Sequence, residues 1–153
     1  MQGKITERLK RQPKWNRYEA VILLDGYIES LDKKTPRLHV VKRVSAELRQ
    51  MATNKGIVID DIFRNENGIS YQIRSMESAY AGHKIYAPAT RLFSEIVGMY
   101  RNDRQRYEKI LKEAKDMIVP AQSNKDIFLA WSASDASTQR DKWVENNLKI
   151  VES

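Results

Sequence analysis

"WNRYEAVILLDGYIESL", residues 15–31, decides the fold class. Asn16 is an N-cap candidate and Glu19 stands three residues on, the spacing at which the two close a capping box; Trp15 precedes the cap, where an apolar side chain staples back onto the first turn. Ala20, Leu23, Leu24, Tyr27, Ile28 and Leu31 then recur at helical spacing. Gly26 weakens this helix slightly or admits a close neighbour. The run "AVILL" at 20–24 is the longest apolar stretch, far short of the roughly 20 residues that cross a bilayer. A membrane is therefore not among the expected partners.

Helical patterns continue on the C-terminal side. "TPRLHVV" opens a second helix, with Thr35 as cap and Pro36 at the first helical position, where its missing N–H costs nothing. Val40, Val41, Val44, Leu48 and Met51 form its buried stripe, and Asn54 to Gly56 supplies a left-handed stop. "IVIDDIF", 57–63, has no partner strand and reads as an ordered loop whose Ile59, Ile62 and Phe63 plug the core. A third helix starts near Asn67-Gly68, with Ile69, Ile73, Met76 and Tyr80 on one side. After the loop "AGHKIYAPAT", Leu92, Phe93, Ile96, Val97 and Tyr100 mark a fourth helix. Asn102 with Gln105 forms a further capping box, and Tyr107, Ile110, Leu111, Ala114 and Ile118 line a fifth. The whole is all-α: a three-helix, helix-turn-helix-like core over about 15–80, a further helical pair, and short C-terminal helices. The expected divisions are a basic arm at 1–14, the helix-turn-helix-like domain at 15–82, a helical extension at 90–119, and a segment at 125–153 that opens a following domain. That last segment bears Phe128, Trp131 and Trp143.

Charge narrows the partners. The 153 residues carry 27 Lys and Arg against 20 Asp and Glu, a net charge of +7. Much of the excess sits in residues 1–18, where Lys4, Arg8, Lys10, Arg11, Lys14 and Arg17 face only Glu7. A basic arm ahead of a folded domain is an electrostatic footprint for nucleic acid. The arm has no apolar core, so it is not a secretory signal. The absence of cysteine excludes disulfides and thiolate metal sites, and fits a cytoplasmic location.

Catalytic patterns are missing. His39 and His83 are the only histidines, and there is no H-E-x-x-H, Gly-rich phosphate loop or G-x-S-x-G elbow. Asp60-Asp61 is the best acidic pair, but a nuclease centre needs a further carboxylate and a lysine beside it. No enzyme activity, cofactor or metal is expected. The stretch "FRNENGISYQIRSMESAY", 63–80, points instead to binding. Steps of 100° per residue put Tyr71, Ser75 and Ser78 opposite the apolar stripe of the third helix, with Arg74 beside them. Laid in a major groove, this face lets Arg74 read guanine and Tyr71 or Ser75 touch phosphate or a base edge. Arg64 and Asn65, just before the helix, suit a backbone phosphate at its N-terminal amides. Lys10, Arg11, Lys14 and Arg17 neutralise phosphates from the arm. A competing expectation is a protein-interaction domain that docks through residues 90–118 or 128–143.

Two resemblances bear on this. "WNRYEAVILLDGYIES" is similar to the first helix of Myb/SANT-like domains. "VSAELRQMA" followed by "IFRNENGISYQIRSME" resembles the stretch N-terminal to the catalytic domains of bacterial HNH-type restriction endonucleases and related phage or mobile-element proteins. The matching positions are Ser45 and Arg49 on the second helix, then Arg64, Asn65, Asn67 and Gly68. The resemblance implies a DNA-binding module at the N-terminal part of a larger defence, restriction-modification, phage or mobile-element protein, and an end at "NLKIVES" reads as cut from a longer chain. The HNH histidines and asparagine have no counterpart, so no nuclease activity carries over. The connection at 55–66 is also longer than a helix-turn-helix turn.

Overall fold

The computed structural model describes residues 12–32 and 35–119, and among these it contains five α-helices and no strand. They are α1 (Arg17–Leu31), α2 (Arg37–Asn54), α3 (Glu66–Ala81), α4 (Arg91–Asn102) and α5 (Arg104–Ile118). No helix among the described residues is long and apolar enough to cross a membrane. The arm through residue 11 and the Trp-bearing segment at 125–153 lie outside the described residues.

α1 is the axis of the bundle and touches each of the other four helices. Its start is the capping box expected from sequence: Asn16 Oδ1 accepts from the Glu19 N–H at 3.0 Å, and Glu19 Oε1 accepts from the Asn16 N–H at 3.1 Å. Trp15 sets its ring edge-on to Phe93 of α4 at 5.5 Å. The expected single stripe understates the burial. Val21 and Ile22 are enclosed along with Ala20, Leu23, Leu24 and Tyr27, whereas Leu31 is 43% exposed. A helix apolar on nearly every side belongs inside a bundle, and α1 meets this condition because neighbours cover it all round.

The close neighbour at Gly26 is α2. A Cβ there would lie 2.9 Å from Val40 Cγ1 and 3.0 Å from Val44 Cγ2. α2 begins one residue later than expected: Pro36 holds the cap position, and the Thr35 hydroxyl donates to Glu29 of α1 at 3.1 Å instead of capping. It ends as expected. Gly56 has φ 80, its N–H donates to the Thr53 carbonyl, and the Ile57 N–H donates to the Ala52 carbonyl, the paired bonds of a Schellman stop.

The 57–63 segment is a loop, but only Phe63 enters the core. Ile62 is 39% exposed and Val58 is 84% exposed, because Asp60 bends the chain by accepting the N–H groups of Ile62 and Phe63. α3 buries Ile69, Ile73 and Met76. Phe93, Ile96 and Val97 of α4, with Tyr107, Ile110, Leu111 and Ala114 of α5, join the same apolar cluster as α1–α3. The pair read from sequence as an extension thus completes one shared core, and its apolar faces are not free for docking. Between α4 and α5 stands Asp103 alone, and its carboxylate accepts the Arg106 N–H, so the Asn102–Gln105 box is not used. Tyr107 reaches through the core to donate to the Val21 carbonyl at 3.3 Å, and burial pushes its ionisation up so that it stays a neutral donor.

Gly26→Ala should overpack the α1–α2 contact and cost about 1–3 kcal/mol. A urea melt should show a lower midpoint with an unchanged slope.

Candidate nucleic-acid interface

The "FRNENG" segment is built around Arg64. Its backbone sits at φ 47, left-handed territory that few non-glycine residues occupy. The side chain is 4% exposed. Nε and Nη2 donate to the two Glu19 carboxylate oxygens at 2.8 and 3.0 Å. Nη2 also donates to the carbonyls of Pro13 and Lys14, and the guanidinium lies within 5 Å of both the Trp15 and the Phe63 ring. The Arg64 carbonyl accepts from Ser45 Oγ at 2.7 Å. Arg49 donates to the carbonyls of Phe63 and Asp60. Asn65 caps α3 by accepting the Gly68 N–H at 2.8 Å, and a Cβ at Gly68 would crowd that same oxygen at 3.2 Å.

Arg64 and Asn65, read from sequence as phosphate contacts, and Arg49, a candidate through the resemblance, therefore brace the fold. The Arg64 guanidinium is engaged by Glu19 and the arm root, Arg49 Nη1 by the loop carbonyls, and Asn65 Oδ1 by the helix cap. Asp60 likewise serves as a turn-former, also accepting Gln12 Nε2 at 3.3 Å. Among the described residues no three His, Cys, Asp or Glu side chains gather into a metal-binding group.

Ser75 and Ser78 are a second correction. Both are 1% exposed, not outward. The 82–90 loop folds back over that side of α3: Ser75 Oγ donates to the Pro88 carbonyl, while Ser78 Oγ donates to the Ala87 carbonyl and accepts the Ile85 N–H. Hydroxyls this short let backbone approach the helix closely. α3 thus buries two sides, and its outward face is narrower and rotated.

What remains outward on α3 is Asn67, Ser70, Tyr71 and Arg74, flanked by Glu66 and Glu77. Tyr71 is 51% exposed. Arg74 rests on the ring of Tyr86, 4.5 Å from its centroid, and the folded-back loop presents that ring. Both flanking acids are drawn to cations of α2, Glu66 to Lys42 and Glu77 to Arg37, each at 3.9 Å. These pairs partly cancel the negative charge beside Arg74.

The basic residues of the arm root divide. Gln12 packs beside Gly68, Ile69 and Gln72, so the chain departs next to the first turns of α3. Lys14 shares a small cavity with Lys55 and Ile57. Arg17 donates to the Tyr18 hydroxyl at 3.3 Å, and Lys55 approaches the same ring at 6.0 Å. Lys14 and Arg17 therefore gather at the C-terminal end of α2, apart from Asn67, Tyr71 and Arg74. Lys10 and Arg11 lie outside the described residues.

Sequence reasoning missed Tyr86, Lys42 and Arg37, which act through contacts far along the chain. It also passed over "MYRNDRQRY", 99–107, whose density of arginine and tyrosine was a readable signal.

Arg64→Ala should leave Glu19 buried without its counter-charge and cost about 3–5 kcal/mol in chemical denaturation. Ser78→Ala should cost about 1–3 kcal/mol, with faster amide hydrogen exchange at 85–87 and unchanged exchange in the centre of α1. No protein family, curated protein or solved structure matches the chain.

Proposed function

We propose that this chain is a nucleic-acid-binding module that takes duplex DNA, with α3 laid in the major groove. One observation carries the reading. Arg74 stands on the exposed face of α3 with its guanidinium held against Tyr86, and no carboxylate lies within ion-pair distance among the described residues. A guanidinium oriented by an aromatic ring retains its full charge and its fork of donors, the equipment for a bidentate contact to guanine or phosphate. Tyr71, Ser70 and Asn67 extend the same face toward the arm root, from which the basic leader, Lys10 and Arg11 included, supplies phosphate neutralisation. The resemblance of 44–52 and 62–77 to the segment ahead of HNH-type catalytic domains adds the proposal that the module serves a larger defence, phage or mobile-element protein. Of its matching positions, Ser45, Arg49, Arg64 and Asn65 maintain the fold, which leaves Asn67 and Gly68 exposed.

A second reading rests on exposed apolar groups around this face. Leu38 is 60% exposed, Ile85 49% and Tyr86 65%. Tyrosine and arginine among apolar neighbours also suit a protein partner. Salt separates the two readings. A protein touching six phosphates loses about 10³-fold in duplex affinity between 50 and 200 mM salt, whereas an apolar docking surface is nearly indifferent. Arg74→Ala should weaken duplex binding by about 1–3 kcal/mol and relax sequence preference. Salt-insensitive binding, or full affinity in the Arg74→Ala variant, would remove α3 from the interface.

A further inference from the structure

At the C-terminal end of α3 the bundle carries a row of tyrosines. Tyr27 of α1 meets Tyr80 of α3 at 5.5 Å between centroids, Tyr80 meets Tyr100 of α4 at 6.5 Å, and Tyr100 meets Tyr107 of α5 at 5.0 Å. Three arginines lie on this row. Arg104 is 3.7 Å from the Tyr100 centroid, Arg101 is 4.5 Å from that of Tyr80, and Arg37 is 5.7 Å from that of Tyr27. Arg101 also donates Nη2 to the Tyr80 carbonyl, and Arg104 donates Nε to the Tyr100 carbonyl, each at 2.7 Å.

Those two bonds help close α3 and α4, but each uses only one of the five N–H donors a guanidinium carries. Arg101 and Arg104 are exposed, and neither has a carboxylate within ion-pair distance among the described residues. Elsewhere Arg43, Arg91, Lys112 and Lys115 are paired with acids, and Arg37 approaches Glu77 at 3.9 Å. Ring and carbonyl together fix the direction of the remaining donors, so less ordering is needed when an anion arrives.

We propose that Arg37, Arg101 and Arg104 form a clamp for the phosphate backbone of duplex DNA, beyond the C-terminal end of α3. The proposal rests on α3 being the duplex-facing helix and adds a site to it. From Arg74 to Tyr80 is six residues, about 9 Å along the axis, comparable with a major groove about 12 Å wide. A helix whose middle reads the groove therefore brings its end, and the arginines seated there, to the bordering strand.

The test measures affinity of the whole chain for a 20-base-pair duplex across a salt series. The variants are R101Q/R104Q, R101K/R104K, Arg37→Gln/Glu77→Gln, Glu77→Gln and Arg74→Ala. Removing one cation from a phosphate should lower the slope of log K against log salt by about 0.9, hence by about 2 for R101Q/R104Q and about 1 for Arg37→Gln/Glu77→Gln relative to Glu77→Gln. R101K/R104K should keep most of the slope, because lysine still offers a charge; a merely structural role would make it fail with the glutamine pair. Arg37 makes no backbone hydrogen bond through its side chain among the described residues but approaches Glu77 at 3.9 Å, so Arg37→Gln/Glu77→Gln, compared with Glu77→Gln alone, decides the matter if R101Q/R104Q unfolds. A wild-type slope in R101Q/R104Q and equal slopes in Arg37→Gln/Glu77→Gln and Glu77→Gln, with weakened binding by Arg74→Ala, overturn the clamp and leave the α3 reading standing. Reduced slopes with full affinity in Arg74→Ala overturn the α3 reading and keep the arginines as the phosphate contact. No duplex binding by the wild-type chain overturns both.

Discussion

The Arg64–Glu19 pair is the constraint on which the rest of the structure depends. Two ions removed from water cost several kcal/mol each unless geometry and further hydrogen bonds compensate. Here the compensation is dense: both carboxylate oxygens are engaged, two backbone carbonyls share Nη2, and two aromatic rings lie near the guanidinium. The same Glu19 closes the capping box of α1. One carboxylate therefore fixes where α1 begins, where the leader runs, and how the 57–65 loop meets α3.

How much of this was legible follows from the range of each interaction. The Asn16–Glu19 box, the Gly56 stop and the stripes of α2 and α3 depend on residues within two turns, and the local pattern reveals them. The burial of Arg64 depends on an acid 45 positions away, and no local window contains both. Ser75 and Ser78 were misplaced for a related reason. Helical periodicity gives angles around an axis but says nothing about a loop that returns to cover a polar side. Serine also fits either position, inside with a carbonyl partner or outside with water. In the candidate site, Tyr71 and Arg74 were legible because long side chains opposite an apolar stripe have nowhere else to go. Tyr86, which orients Arg74, was not.

Two kinds of contact recur among the described cations, and Arg37 and Arg64 make both. One is with carboxylates, as in Arg43 with Glu29 and Lys115 with Asp25, and stitches helices together. The other is with aromatic rings, as in Arg74, Arg101 and Arg104. Rings leave the charge uncancelled while restricting its direction. Net charge alone does not distinguish these contacts, and for a polyphosphate ligand the second matters more.

The enclosure of α1 has a consequence for dissecting the protein. Val21 and Ile22 face inward as fully as Leu23 and Leu24, and Tyr107 and Phe93 belong to the enclosing wall. A fragment ending after Ala81 would strip one flank of the central rod and bare a continuous greasy surface. The five helices share one core, and α1–α3 cannot be excised from it without a substitute lining.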